Sequence, residues 1–273
     1  SYKRFLKETL PGFFETCVDI NSINTILRIC TEDISKKTNR AVNPTALLEF
    51  AAARITEYFL PEHLPAIFDA VSESACRLYK EKIGLSQDDF DDFFSYIVPA
   101  IAELASRQKD IKFQNMLSAA ADKIIALKQK KGAFSRKDSF RPVLQFAIPA
   151  AAQASENLQS FTSNLDELFN SQGGVIALIK SGKDRIRFME NVMPYLAGSN
   201  IPKRDFISCL KYVQEALEKI KDKKIRKAVM RPDVFINICH TQKTMAGFTK
   251  FVKELFDSVA DKGFLLLDKS VRR

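Results

Sequence analysis

The spacing of apolar residues constrains the fold of this chain more than any other feature. They recur every three or four positions over long stretches. The clearest example follows Lys203 and comprises Phe206, Leu210, Val213, Leu217 and Ile220. This spacing is the period of an α-helix that packs one face against a core. Strand-like alternation is hard to find, and only 9 residues are glycine. The sequence therefore predicts an all-α protein, with one long helix from about residue 203 to 230 or, alternatively, a second helix that begins directly after the first near Lys219.

Two architectures remain open for these helices, an irregular multi-helix bundle and an α-solenoid-like stack of helical hairpins. An aliphatic residue followed by proline occurs at Leu10-Pro11, Leu64-Pro65, Val98-Pro99, Ile148-Pro149 and Met193-Pro194. Helical-hairpin repeats of roughly 40–47 residues often show such a recurrence. The gaps between these prolines are 54, 34, 50 and 45 residues. Because stacked repeats normally keep a fixed period, the irregular gaps favour the bundle.

The distribution of charge predicts two halves. The net charge is +9, and the excess lies entirely in the second half, because residues 1–130 carry a net charge of −1 and residues 131–273 one of +10. Residues 128–141 are basic and contain Gly132 and two serines, which is typical of a linker. We therefore predict a near-neutral helical half, 1–130, and a basic helical half, 131–273, with a single continuous domain as the alternative.

Nine cations of the basic half are candidate residues for binding an anion or an acidic partner. They are Lys183, Arg185, Arg187, Lys219, Lys223, Lys224, Arg226, Lys227 and Arg231. In one continuous helix, Lys219, Lys223 and Lys227 would lie at i, i+4 and i+8 and would repel one another. An acidic partner is one reason for such a cationic ridge. A solvated basic face that only keeps the protein soluble is the other interpretation.

The leading functional hypothesis is a non-enzymatic adaptor or scaffold module that binds another protein through a groove between helices or through the basic half. The alternative is binding of a polyanion, either nucleic acid or an anionic phospholipid surface, through residues 219–231. The second hypothesis predicts an affinity that falls steeply with salt. The chain contains no tryptophan, which argues against base stacking on a single strand. The sequence does not indicate an oligomeric state.

No catalytic, cofactor-binding or metal-ligating set is predicted. Cysteines occur at 17, 30, 76, 209 and 239, without a CxxC pair, and the two histidines are His63 and His240. A nucleophilic cysteine needs a base within hydrogen-bond reach, so a Cys/His-dependent enzyme is the third and weakest hypothesis. The odd cysteine count favours a reducing, intracellular compartment. No apolar run approaches the roughly 20 residues that span a bilayer, so we expect a soluble cytoplasmic protein.

An acidic cluster in the first half has a local structural explanation. Ser86 and Asp89 have the S-x-x-D spacing of an N-terminal capping signal. Asp88, Asp91 and Asp92 crowd the same turn, where the helix dipole favours negative charge. The cluster lacks the ligand order and the glycine of a calcium loop. It therefore predicts the start of a helix and not a metal site.

Overall fold

The computed structural model describes residues 20–108, 112–129, 134, 137–170 and 173–262. These residues are predominantly helical and include no strand, so the prediction of an all-α protein is confirmed. The chain forms two compact units. The first extends to Ala152 and includes Asn157–Gln159, and the second contains Gln153–Glu156 and the chain from Ser160 onward.

The first unit is built from α-helices, several of which adjoin π-helical segments, with a 3₁₀ turn at Pro61–His63. Its elements in chain order are α1 (Ile20–Arg28), π1 (Ile29–Ile34) with its continuation Ser35–Lys37, π2 (Leu47–Ala51), α2 (Ala52–Tyr58), α3 (Leu64–Lys80), α4 (Gln87–Asp92), π3 (Phe93–Ile97), α5 (Val98–Ser106), α6 (Phe113–Gln129), α7 (Lys137–Pro142), π4 (Val143–Ala147) and α8 (Ile148–Gln153). Helices α3 and α6 pack side by side and bury apolar residues such as Phe68 and Met116.

Three of the π-helical segments form a stack, because π2 packs against π3 and π3 packs against π4. Their first residues, Leu47, Phe93 and Val143, are at most 1% exposed. Their starts are 46 and 50 residues apart. The second residue after π3 is Pro99, and Pro149 holds the same place after π4. A proline inside a helix removes one hydrogen bond and crowds the preceding turn, and a π-helical turn before it accommodates both effects.

The start of α4 confirms the predicted capping signal. The Ser86 side chain accepts a hydrogen bond from the backbone N–H of Asp89, and the Asp89 carboxylate accepts one from the N–H of Ser86. The same carboxylate lies 3.9 Å from the ammonium of Lys128, and both side chains are buried. The Lys128 ammonium also lies 4.0 Å from the centre of the Phe140 ring. Both ends of the predicted linker, 128–141, are therefore packed against other helices.

The boundary between the units differs from the prediction. Arg141 and Gln145 donate hydrogen bonds of 3.0 and 2.9 Å to the buried carboxylate of Asp92. These bonds, together with the packing of π4 on π3, attach residues 137–152 to the first unit. The structure divides at Gln153 instead of residue 131. The change of net charge along the sequence did not predict this boundary. Arg141 is one of the cations that produced the change, but its charge is neutralised by Asp92 of the first unit.

The second unit consists of α-helices connected by short segments. Its elements are α9 (Leu158–Phe169), α10 (Val175–Leu178), α11 (Gly182–Asn191), α12 (Met193–Ala197), α13 (Phe206–Lys219), α14 (Lys223–Val229), α15 (Pro232–Thr241) and α16 (Met245–Lys262), with a 3₁₀ turn at Lys203–Asp205. Helix α13 packs against α10, α12 and α16. Its buried residues Phe206, Leu210, Val213 and Leu217 follow the apolar period of the sequence.

Candidate anion-binding surface

The basic stretch after Lys219 is divided between two helices. Helix α13 ends at Lys219, and Ile220 is extended, with φ −82° and ψ 110°. The side chain of Asp222 then caps α14 by accepting hydrogen bonds from the backbone N–H groups of Lys224 and Ile225. Of the two predicted alternatives, the structure shows a second helix that follows the first directly, so Lys219 lies on α13 while Lys223 and Lys227 share α14 and the three lysines do not form one continuous ridge. The break occurs where Asp222 stabilises a new helix start in place of continuation.

A buried carboxylate links α14 to α11. Asp184 is 6% exposed and accepts a 3.0 Å hydrogen bond from Nε of Arg226 and a 3.1 Å hydrogen bond from an amino group of Arg187. The backbone N–H of Asp184 in turn donates to the Ser181 side chain, which caps α11. Asp184 is thus paired with two guanidinium groups, as a buried carboxylate normally must be.

Arg226 also stabilises the break between α13 and α14. Its amino group donates a 2.6 Å hydrogen bond to the backbone carbonyl of Ile220 and a longer bond of 3.4 Å to that of Lys221. The side chain is only 19% exposed. These contacts occupy the guanidinium, so Arg226 positions the neighbouring lysines and does not present its charge to solvent.

Two further candidate arginines do not extend the exposed cationic surface. Arg185 is 8% exposed and donates a 2.8 Å hydrogen bond to the carbonyl of Ile179, and burial lowers the pKa of its guanidinium. Helical periodicity alone did not indicate that this residue of α11 faces inward. Arg231 is exposed, but it forms two hydrogen bonds, of 3.1 and 2.7 Å, with the carboxylate of Asp233.

Five of the nine candidates remain as solvent-exposed lysines, and we call them the lysine surface. They are Lys183, Lys219, Lys223, Lys224 and Lys227. None of them forms an ion pair within 4.0 Å in the part of the chain that the structure describes. The Asp184–Arg226 bond brings their helices together, because Lys183 precedes Asp184 directly and Lys223 and Lys227 lie within one turn of Arg226.

Lys219 also borders a small cavity between α13 and α16. The cavity has a volume of about 80 Å³, and its charged residues are Glu215, Lys219, Lys253 and Asp257. Since cations and carboxylates are equal in number there, this cavity adds no net charge to the lysine surface. The uncompensated positive charge is therefore concentrated at α14 and at the start of α11.

The cysteines of the second unit are not activated as nucleophiles. Burial raises the pKa of the Cys239 thiol to about 12. Burial, with the nearby Asp205 and Cys239, raises that of Cys209 to about 12. The reactive form of cysteine is the thiolate, so both residues are protonated at neutral pH. Cys239 and His240 do border one cavity of about 190 Å³, but a thiol with this pKa is a poor nucleophile.

The described residues hold no group of three or more His, Cys, Asp or Glu side chains that could bind a metal ion. Across the same ranges, no helix combines the length and apolar character needed to cross a bilayer. No protein-family model matches the chain, and comparisons with curated proteins and with solved structures found no significant match.

Proposed function

We propose that the chain is a non-enzymatic, helical protein-binding module of the adaptor or scaffold type, and that it contacts an acidic segment of its partner through the lysine surface. The observation that carries the proposal is the set of exposed lysines without ion pairs on α11, α13 and α14. Lys223 and Lys227 are one turn apart, and such like charges destabilise a helix by a few tenths of a kcal/mol. Carboxylates of a partner would remove this repulsion on binding.

The ion pairs beneath the surface support its use in recognition. Asp184 and Arg226 fix α14 against α11, and Arg226 holds the bend at Ile220. The backbone that carries the surface therefore loses little conformational freedom on binding, which favours affinity. Rim charges of this kind contribute mainly to association rate and specificity, and their contribution weakens as salt is added.

The test is a charge reversal with a matched control. One variant carries Lys219→Glu, Lys223→Glu and Lys227→Glu, and the control carries Lys112→Glu, Arg204→Glu and Lys243→Glu, three other exposed cations. Both variants change the net charge equally. Binding of a fluorescent oligoglutamate peptide is measured by anisotropy at low and moderate salt, alongside affinity capture of acidic proteins.

We expect the reversal at the lysine surface to weaken peptide binding roughly 10- to 100-fold, since each exposed charge contributes roughly 0.2–1 kcal/mol and reversal replaces attraction by repulsion. The control should bind nearly as the wild type does. Equal losses in both variants would show that only net charge matters and would contradict the proposal. Retention on heparin or on anionic vesicles that the surface reversal abolishes, in the absence of peptide binding, would instead support the polyanion alternative.

A further inference from the structure

The first unit contains a second cationic feature, an open cavity between the C-terminal ends of two helices. It lies between the Ser35–Lys37 continuation of π1 and the end of α3, and its volume is about 630 Å³. Cavities in the second unit measure about 190 and 80 Å³. Sites for small molecules typically measure roughly 300–1,000 Å³, so this cavity has the size of a ligand site.

The walls of the cavity are apolar and its rim is cationic. Leu78 and Phe90 are buried at 1% and 3% exposure, and the half-buried Ile83 and Leu85 also line it. The rim carries the lysines Lys37, Lys80 and Lys82, with Asn39 and the Tyr79 ring beside them.

The lysines of the rim have few carboxylate partners, although Lys37 and Lys80 lie in the last turns of their helices, where the negative end of the helix dipole favours a cation. Lys37 lies 3.9 Å from Asp33, while neither Lys80 nor Lys82 has a carboxylate within 4.0 Å in the described ranges of the chain. Burial raises the pKa of the nearby Cys76 thiol, and the positive charges of Lys37 and Lys80 both oppose that increase. These ammonium groups, which come from different helices, therefore both lie near Cys76, as does the carboxylate of Asp33.

The backbone conformation at the rim is unusual. Within the described residues, positive φ angles occur at Asn39 (52°), Arg40 (61°), Lys82 (50°) and Gly84 (74°), and three of these four residues line the cavity. Left-handed residues commonly end helices, but glycine usually fills that position. Here asparagine and lysine occupy it despite the steric cost, and their polar side chains border the cavity. Such conformations are frequent in ligand-binding segments.

We propose that this cavity binds a small amphipathic anion, with its carboxylate or phosphate head group at Lys37, Lys80 and Lys82 and its apolar part against the half-buried Ile83 and Leu85. An inorganic anion would leave the apolar walls uncovered, and a neutral apolar compound would leave the ammonium groups without a counterion. The site lies in the first unit, whereas the lysine surface lies in the second. The two proposals can therefore fail independently.

The experiment uses a single fluorescent reporter in the full chain. Because the sequence contains no tryptophan, the variant Ile83→Trp places one indole at the cavity. Octanoate, octyl phosphate, inorganic phosphate and octanol are titrated below their micelle concentrations, and the emission of the indole is recorded. Calorimetric titration of the wild type with octanoate and with octyl phosphate provides a measurement that the substitution cannot affect.

We expect octanoate or octyl phosphate to bind, with the tighter of the two identifying the head group, and phosphate and octanol to bind much more weakly. Adding Lys80→Ala and Lys82→Ala should weaken binding about 2- to 30-fold, since each exposed ion pair contributes a small amount. Lys112→Ala with Lys243→Ala, a pair of exposed lysines elsewhere, should change nothing. The proposal would be overturned if phosphate or octanol bound as tightly as octyl phosphate. It would also be overturned if neither fluorescence nor calorimetry detected binding of octanoate or octyl phosphate.

Discussion

Replacing Asp184 by asparagine tests whether the lysine surface depends on the buried ion pairs beneath it. The carboxylate accepts hydrogen bonds from Arg187 and Arg226 at 3.1 and 3.0 Å. Each hydrogen bond to a charged group contributes about 1.5–3 kcal/mol. Asparagine retains one acceptor oxygen but directs an amide N–H₂ group at the second guanidinium, so one guanidinium donates to a neutral acceptor in place of a carboxylate and the other hydrogen bond is lost.

The exposure of the arginines sets the magnitude of the expected effect. Breaking a fully buried pair costs about 3–5 kcal/mol. The side chains of Arg187 and Arg226 are 29% and 19% exposed, so water compensates part of that loss. We therefore expect Asp184→Asn to lower the free energy of unfolding of the second unit by about 2–4 kcal/mol.

A matched control removes an ion pair that is more exposed. The side chains of Asp233 and Arg231 are 34% and 54% exposed, and pairs at the surface typically contribute about 0.2–1 kcal/mol. Asp233→Asn should therefore lower the free energy of unfolding by less than about 1 kcal/mol. Urea unfolding followed by circular dichroism measures both changes. Hydrogen exchange at the backbone N–H groups of Arg226 and Met230, which donate to the carbonyls of Asp222 and Arg226, shows whether the loss of stability is located at α14.

The same substitution also affects binding, although it removes no lysine. If Asp184 fixes α14, Asp184→Asn should speed exchange in α14 and weaken binding of the oligoglutamate peptide. Arg226→Gln should lower the free energy of unfolding less in the Asp184→Asn variant than in the wild type, because the effects of substitutions at two contacting residues are not additive. A loss of stability below about 1 kcal/mol, or one no larger than that of Asp233→Asn, would refute the role assigned to Asp184.

Three other predictions concern stability. Burial raises the pKa of the Cys209 and Cys239 thiols to about 12. Their contribution to the free energy of unfolding is therefore complete below the unfolded pKa of about 9 and is lost as the pH rises towards 12, by up to about 1.4 kcal/mol per pH unit for each thiol. When the free energy of unfolding is plotted against pH between 8 and 10, the slope should be shallower for a Cys209→Ala/Cys239→Ala variant than for the wild type. Asp222→Ala removes the cap of α14 and should cost about 0.5–2 kcal/mol, whereas Asp222→Ser should cost little; equal losses in urea unfolding would contradict a capping role. At the positive φ angles of Lys82 and Gly84, Lys82→Gly should raise the free energy of unfolding and Gly84→Ala should lower it, each by about 1 kcal/mol. Thermal unfolding measures both changes, and changes of the same sign would contradict this reasoning.

The sequence predicted the helices well because their apolar spacing is a direct record of burial. Phe206, Leu210, Val213 and Leu217 were assigned to one buried face, and all four are buried. The capping signal at Ser86 was also predicted, since it depends on residues three positions apart. Features that are set by local spacing could therefore be inferred from the chain alone.

The candidate surface was predicted less completely, because the partners of its arginines are distant in sequence. Asp184 and Arg226 are separated by 42 residues, and no local pattern indicates their contact. Arg185 follows Asp184 directly and is buried instead of exposed. One signal was available, since Ser181 and Asp184 have the spacing of a helix cap. It indicates that a helix begins there, but it does not reveal which arginine reaches the carboxylate.

The stack of π-helical segments was not predicted from the sequence, for a different reason. The proline gaps were compared as a fixed period, but Leu10-Pro11 lies outside the described residues, and among the described prolines only Pro99 and Pro149 occupy equivalent places in the stack. The first segment of the stack has Ala53 there. The fourth residue of each segment is aromatic, namely Phe50, Tyr96 and Phe146, and Phe50 and Tyr96 are 52% and 43% exposed. The three segments share a pattern of buried and outward-facing positions, and they do not share one residue type at a constant interval. A search for proline at a fixed spacing therefore detects only the segments that are followed by a proline.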